Sequence, residues 1–168
     1  MPNYTLECEL ESPVPVEQAF AVFENPYNLA KITPPWLNFR ILTDGLQMRK
    51  GAEIDYEFRW LGVPLRWRTV ISEYDPPAGF VDKALKSPYA FWHHRHTFRS
   101  TGEGTVVADR VDYGLPFGFL GGLMHDLVVS RQLKQIFAYR QKAIVELLGG
   151  RANELRPPQI TQTEKMPG

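Results

Sequence analysis

The 168-residue sequence has one cysteine, no excess of either charge and no long apolar run. A single cysteine, Cys8, cannot form an intramolecular disulfide. Nineteen basic residues balance nineteen acidic ones, so the long-range attraction that nucleic acid or an anionic membrane surface requires is missing. The apolar runs are far shorter than the ~20 residues of a membrane span. We therefore expect neither nucleic acid binding nor integral membrane association.

The start of the chain lacks the charged segment, apolar run and small-residue cleavage site of a signal peptide, so a cytoplasmic location is the default expectation. A chain of this length can bury roughly two-thirds of its unfolded surface, which is enough to fold without a disulfide or a structural metal. We predict one domain over residues 1–150. Residues 151–168 turn polar and contain Pro157-Pro158, and they are expected to form a poorly ordered tail.

Most of the chain shows the alternation typical of half-buried strands. Residues 4–10 alternate apolar and polar side chains, which predicts a first strand with Cys8 facing inward as a small buried hydrophobe. Two short helical segments follow and end at Asn25-Pro26 and Thr33-Pro34-Pro35, because a residue before proline is disfavoured in a helix. Over residues 39–113, turn residues separate six further strands, which gives about seven in all.

One long helix is predicted near the C-terminus. A broad apolar stripe begins between Phe119 and His125 and reaches Leu148, where Gly149-Gly150 ends it. Of the predicted elements, only this helix is long enough to cover the apolar face of a curved antiparallel sheet. The pattern therefore predicts an α+β fold in which the sheet wraps around the helix and leaves a pocket between them, closed at one end by the two short helices.

Three local strings add to this order of elements. They are ITPPWL at residues 32–37, PY at 88–89 with WHHRHTF at 92–98, and DRVDYGLP at 109–116. Together they resemble the SRPBCC superfamily, which includes START lipid-transfer domains, pollen-allergen-like carriers and polyketide cyclases or dehydratases. The resemblance covers residues 4 to about 148, looks most like the bacterial stand-alone ligand-binding members, and implies a helix-grip fold. It implies no cofactor and carries no motif that fixes a reaction.

The sixth and seventh predicted strands hold the main concentration of titratable side chains. If residues 101–104 connect them, antiparallel pairing places His96 opposite Asp109. Directly opposed Cβ atoms lie about 4.5–5.5 Å apart, so these two side chains can share a hydrogen bond. Because apolar residues occupy the same face, we predict that the pair lines the pocket, with His94 as a second polar contact. A small register change would instead expose Asp82, Arg95 or Arg140 to the interior.

The His-Asp pair has more than one interpretation. His96 could act as a general acid or base whose tautomer Asp109 fixes. The pair could instead anchor a ligand, or satisfy its own hydrogen bonds within the core. Metal binding by His94, His96 and Asp109 is not expected, because no further His or Cys is placed to complete a tetrahedral site. His125 is expected to be a solvent-facing or capping residue.

Many inward positions of the predicted sheet carry aromatic rings. Core packing explains most of them, but their number and polar tips also suit a pocket for an aromatic or acyl ligand. Trp36 follows two prolines and is a candidate for the pocket rim or for anchoring its loop. The candidate ligand-binding residues are Trp36, Tyr56, Phe58, Trp60, Trp67, Phe80, Trp92, His94, His96, Asp109, Tyr113, Phe117 and Phe137.

Three functions are compatible with these patterns. The first, which we favour, is binding of a small hydrophobic molecule, aromatic, polyketide-like or acyl, with His94, His96 and Asp109 as polar anchors. The second is a cyclase, dehydratase or hydrolase-like enzyme that uses His96 and Asp109 as the catalytic pair. The third is a partner-docking domain, which would have a filled core and no cavity.

Overall fold

The chain folds into one sheet and a long C-terminal helix over the residues that the computed structural model describes, 3–150 and 155–163. The helices are α1 (Val16–Glu24), α2 (Asn28–Ile32), α3 (Gly118–Met124) and α4 (Ser130–Leu148), with a 3₁₀ turn at Pro35–Leu37 and a π-helical turn at His125–Val129. The strands are β1 (Asn3–Ser12), β2 (Arg40–Ile41), β3 (Glu53–Trp60), β4 (Val63–Asp75), β5 (Gly79–Lys86), β6 (Phe91–Thr101), β7 (Gly104–Gly114) and β8 (Arg156–Thr163).

The eight strands form one antiparallel sheet in the order β2-β3-β4-β5-β6-β7-β1-β8. Two short helices follow β1, and helical backbone continues from residue 118 to 148. The predicted α+β helix-grip architecture is confirmed. None of the described helices is long and apolar enough to cross a bilayer.

The predicted register of β6 and β7 is also confirmed. Ser100 pairs with Thr105, and counting back along both strands brings His96 opposite Asp109 and His93 opposite Asp112. The short connection between β6 and β7 fixes all residue pairs of this hairpin, because a shift of one residue would turn each side chain to the opposite face of the sheet. His94 and His96 are consequently buried, whereas His93 is exposed.

The predicted polar tail requires a correction. Arg156–Thr163 forms an eighth strand, β8, which pairs with β1 at the edge of the sheet. The prolines at positions 157 and 158 lie where this pairing shifts between Glu7 and Glu9. Proline lacks a backbone donor and is tolerated on edge strands and at bulges, so the segment forms a strand despite its composition. The rest of the predicted tail, residues 151–154 and 164–168, lies outside the described residues.

Two clusters of buried side chains fill the space between the sheet and the helices. One includes Phe20 of α1, Ile71 of β4 and Ile144 of α4, and the other includes Leu6 of β1 and Leu133 of α4. Each cluster brings residues of the sheet against α4. The sheet and this helix therefore form a common core.

The side chain of Gln141 on α4 forms hydrogen bonds to β1 and β8. Its side chain is 3% exposed, and its amide nitrogen donates hydrogen bonds to the backbone carbonyls of Glu9, at 3.0 Å, and Arg156, at 2.8 Å. One side chain thus supplies donors to β1 and β8 close to the point where their pairing is irregular.

Replacing Gln141 with leucine removes both donors and leaves the two carbonyl oxygens without them. We expect the free energy of unfolding to fall by about 1–3 kcal/mol, measured by urea denaturation. Gln135→Leu, on an exposed position of the same helix, is the control and should change the value by less than about 0.5 kcal/mol. Equal effects of the two substitutions would contradict the role given to Gln141.

Candidate ligand-binding site

A cavity of about 640 Å³ lies between the sheet and the helices. Strands β3 to β6 supply one wall, α4 supplies another, and residues of α2 and α3 complete the lining. Phe117 and Leu120 line the cavity yet are 83% and 64% exposed, so the cavity reaches solvent beside α3. Its volume is within the roughly 300–1,000 Å³ typical of small-molecule sites.

Most of the predicted binding residues line this cavity. Alternation along β3 brings three of them to one face, and the facing strands contribute further rings. The predicted residues that line the cavity are Tyr56, Phe58, Trp60, Trp67, Phe80, Trp92, His94, His96, Phe117 and Phe137.

Trp36, Tyr113 and Asp109 do not line the cavity, which corrects their predicted placement. The Trp36 side chain is half exposed and packs edge-on against Tyr139 of α4, with ring centroids 5.5 Å apart. This contact fits the alternative that Trp36 anchors its loop. Tyr113 is fully buried. Asp109 is buried and contacts the two histidines of β6, rather than the cavity itself.

Tyr113 instead belongs to a buried contact with His125, which the sequence had suggested to be solvent-facing. The Tyr113 hydroxyl lies 2.8 Å from His125 Nε2, and the His125 ring stacks on Tyr4 with centroids 3.4 Å apart. His125 is 3% exposed. This contact joins the π-helical turn to β1 and β7, and it packs the start of the long helical segment against the sheet.

Asp109 is shared by the two inward histidines of β6. Its Oδ1 atom lies 2.8 Å from His94 Nε2 and 3.1 Å from His96 Nδ1. The other ring nitrogen of His96, Nε2, lies 2.9 Å from Asp82 Oδ2. Asp82, on β5, pairs with His94 in the backbone register. We call Asp82, His94, His96, Asp109 and Arg140 the polar cluster.

Backbone proximity at Gly79 helps to place β5 beside β6. A Cβ atom at this position would collide with the carbonyl oxygen of His96. Because glycine has no Cβ, the strands can approach there. The next residue, Phe80, stacks its ring on the His96 imidazole with centroids 4.2 Å apart. The stacking holds the His96 ring in the plane from which it reaches both carboxylates.

Arg140 of α4 supplies a positive charge to the polar cluster. Its Nε atom lies 3.6 Å from Asp109 Oδ2, and its Nη2 atom lies 3.4 Å from His96 Nδ1. The guanidinium also lies over the Phe23 ring, 5.5 Å from the centroid. Cys8 borders the cluster, and burial followed by the Asp109 charge raises the pKa of its thiol. Cys8 is a buried core residue, as predicted.

The pKa values of the two histidines are shifted in opposite directions because their surroundings differ. Burial and the neighbouring His96 lower the pKa of His94. Burial also opposes a charge on His96, but hydrogen bonds to Asp109 and Asp82 outweigh it and raise the pKa of His96. Burial raises the pKa of Asp109, yet Arg140 and the two histidines hold the pKa well below its ordinary value. The cluster thus combines two carboxylates with one guanidinium and two imidazoles whose pKa values are shifted in opposite directions.

Asp82 and Arg140 reach the cavity without the register change that the sequence analysis required of them. Both line it, whereas Arg95 points away and pairs with Glu73 at 3.0 Å on an exposed face. Arg140 had a visible signal, since it interrupts the inward stripe formed by Phe137 and Ile144 on α4. Asp82 was harder to find, because its position depends on the pairing of β5 with β6.

Trp67 has a buried donor that the protein leaves free. Its indole Nε1 atom has no hydrogen-bond partner among the described residues. The side chain is 5% exposed and lines the cavity beside the rings of Tyr89 and Trp92. Buried donors normally find an acceptor, because leaving one unpaired costs about 1–3 kcal/mol. The Nε1 atom itself has almost no accessible surface, so this donor is enclosed by protein and does not face the open cavity.

A family model described as polyketide cyclase / dehydrase and lipid transport matches residues 12–138. No curated protein matches the sequence. Among solved structures, TTHA0849 from Thermus thermophilus is 17% identical with a TM-score of 0.67, covering 88% of this chain and 97% of its own. Ara h 8.0201 is 15% identical with a TM-score of 0.61, covering 86% and 99%.

A third similar structure is a norcoclaurine synthase point mutant from Thalictrum flavum in complex with a transition-state analogue. It is 16% identical with a TM-score of 0.64, and the match covers 88% of this chain and 96% of that one. At these identities the structural likeness shows the fold alone. Together with the family match, it confirms the SRPBCC superfamily.

Asp109→Asn tests the energetic weight of the polar cluster. The substitution leaves Arg140 and the histidines without their shared carboxylate in a buried site, so we expect the free energy of unfolding to fall by about 3–5 kcal/mol. Urea denaturation at neutral pH measures this change. Glu73→Gln, which breaks the exposed ion pair with Arg95, should cost about 0–1 kcal/mol. A loss for Asp109→Asn no larger than that of Glu73→Gln would show that the cluster contributes little to stability.

Proposed function

Because the chain belongs to the polyketide cyclase / dehydrase and lipid transport family, we propose that its cavity binds one small hydrophobic molecule. The molecule is an aromatic, polyketide-like or acyl compound that carries a hydrogen-bond acceptor. The observation that carries this proposal is the cavity of about 640 Å³, whose lining is mostly apolar and aromatic and includes Arg140 as a donor for an acceptor group.

Affinity would come mainly from the apolar lining. Burial of apolar surface contributes about 25 cal/mol per Å², and the rings of Tyr56, Trp67 and Trp92 offer faces and edges for stacking. Arg140 and the other members of the polar cluster that line the cavity then fix how the molecule is oriented. Such a division between apolar affinity and a few polar contacts is typical of small-molecule sites.

The catalytic hypothesis for His96 and Asp109 stays a prediction. A general acid or base needs a ring nitrogen within reach of the bound molecule. Both nitrogens of His96 already contact carboxylates, at 2.9 Å and 3.1 Å, and Asp109 lies away from the cavity. Because these contacts occupy both ring nitrogens, the proposal includes no reaction.

Filling the cavity tests the proposal directly. Ile136 of α4 lines the cavity, and Ile136→Trp would place an indole in the space that a ligand needs. We expect the affinity for N-phenyl-1-naphthylamine, an uncharged fluorescent aromatic probe, to fall at least about tenfold, equivalent to about 1.4 kcal/mol. Fluorescence titration gives both the affinity and the stoichiometry.

Leu147→Trp is the matched control for this experiment. Leu147 lies on the same helix but is 43% exposed and does not line the cavity. The control should bind one probe molecule as the unmodified protein does. If Ile136→Trp and Leu147→Trp bind equally well, the probe occupies some other surface and the proposal is wrong.

A further inference from the structure

We propose that Asp82, His94 and His96 form a binding site for one divalent transition-metal ion at the wall of the cavity. One nitrogen or oxygen atom from each residue can be chosen so that all three lie within 4.8 Å of one another. Asp82 Oδ2 lies 2.9 Å from His96 Nε2 and 3.8 Å from His94 Nδ1. An ion about 2.0–2.1 Å from each atom would need only small adjustments of these side chains.

Asp109 supplies the support that metal-binding histidines require. It contacts the opposite nitrogen of each ring, His94 Nε2 at 2.8 Å and His96 Nδ1 at 3.1 Å. A proton on each of these nitrogens leaves His94 Nδ1 and His96 Nε2 with free lone pairs, and these are the two nitrogens nearest Asp82. In metal sites the second ring nitrogen of a histidine commonly donates to a carboxylate, which fixes the tautomer and the ring orientation.

The charges of the polar cluster also favour a cation. With both histidines neutral, two carboxylates and one guanidinium leave a net charge of −1 among apolar residues. Arg140 approaches Asp109, with its Nε atom 3.6 Å from Asp109 Oδ2. Asp82 therefore remains the carboxylate that is available to the ion.

The chemistry of the three ligands points to a particular class of ion. Two imidazoles and one carboxylate suit Zn²⁺, Fe²⁺ or Co²⁺ and leave further coordination positions open. Asp82, His94 and His96 all line the cavity, so the open positions would face its interior. An oxygen atom of a bound molecule could then coordinate the ion. The metal site goes beyond the proposed ligand binding and does not depend on it.

This assignment differs from the expectation drawn from the sequence. There, Asp109 was considered as the third ligand and no metal site was expected, because further ligands were missing. The structure brings in Asp82 from the neighbouring strand, and it gives Asp109 a supporting role. The chain therefore offers one more polar group to an ion than the sequence pattern of β6 and β7 indicated.

The test is titration of the full chain, free of any affinity tag and stripped with a chelator, with Co²⁺ and Zn²⁺ in the absence of any hydrophobic compound. We expect one ion per chain, visible absorption bands on adding Co²⁺, and their loss on adding Zn²⁺. Asp82→Asn should weaken ion binding by at least about tenfold. Asp109→Asn, which removes the supporting carboxylate, should weaken it on the order of 10- to 100-fold.

His93→Ala is the control, because His93 neighbours the site in sequence but is exposed on the other face of β6. It should bind the ions as the unmodified chain does. Absence of a 1:1 complex in the unmodified chain, or equal binding by Asp82→Asn, would overturn the proposal.

A measurement on the unmodified chain covers the case in which a variant fails to fold. In imidazole ¹⁵N NMR spectra, Zn²⁺ should shift His94 Nδ1 and His96 Nε2 and leave His93 unchanged. A shift at the opposite nitrogens, or at His93 alone, would also overturn the site. Because no hydrophobic compound is present, failure here leaves the proposed ligand binding untouched, and failure of the naphthylamine titrations leaves the metal site untouched.

Discussion

The buried carboxylate of Asp109 holds together the polar part of the cavity wall. It accepts hydrogen bonds from both inward histidines of β6 and faces the charge of Arg140 on α4. A buried charge is costly unless it is paired and hydrogen-bonded, so the sheet and α4 must meet where these groups meet. This requirement links the position of the helix to the shape of the cavity, because the helix cannot shift without exposing an unpaired charge.

The apolar part of the cavity wall is built from packed aromatic rings. Rings from β3, β4 and β6 pack on one another: Trp67 stacks on Tyr56 with centroids 6.1 Å apart and meets Trp92 edge to face at 5.3 Å. Ring pairs in these arrangements contribute about 0.5–1.5 kcal/mol each beyond the area they bury, which stabilises the wall. Among the buried polar side-chain atoms of the described residues, Trp67 Nε1 and Arg140 Nε have no hydrogen-bond partner. The cavity thus combines a polar end, where Arg140 keeps a free donor, with an aromatic wall.

The sequence predicts much of this fold, because alternation and tight turns are local. The short β6–β7 connection fixes the pair of His96 and Asp109, and the register follows from it. The eighth strand escaped prediction because its polar sequence and two prolines resemble a tail, and only the exposed edge of β1 gives it a partner. A prediction from composition cannot include a strand whose stability comes from an edge formed more than a hundred residues earlier.

The sequence predicted the part of the site that the β6–β7 hairpin positions, and it missed the parts that other contacts position. Asp82 joins the histidines through the pairing of β5 with β6, and Arg140 through the packing of α4, so neither follows from the β6–β7 register. Likewise, Tyr113 seemed to belong to the cavity because it shares a face with His96. Its burial depends on His125, which arrives from the start of the long helical segment. Residues whose role depends on packing between distant elements were the ones that the sequence misplaced.

The central claim is that the space between the sheet and α4 is a binding site for one hydrophobic molecule with an acceptor. Native mass spectrometry tests it most directly, with the protein incubated in an equimolar mixture of uncharged aromatic and acyl compounds that do and do not carry oxygen acceptors. The account predicts complexes with a single bound molecule, enriched in the compounds with an acceptor. Free protein alone, or adducts that keep increasing in number without a preferred stoichiometry, would contradict it.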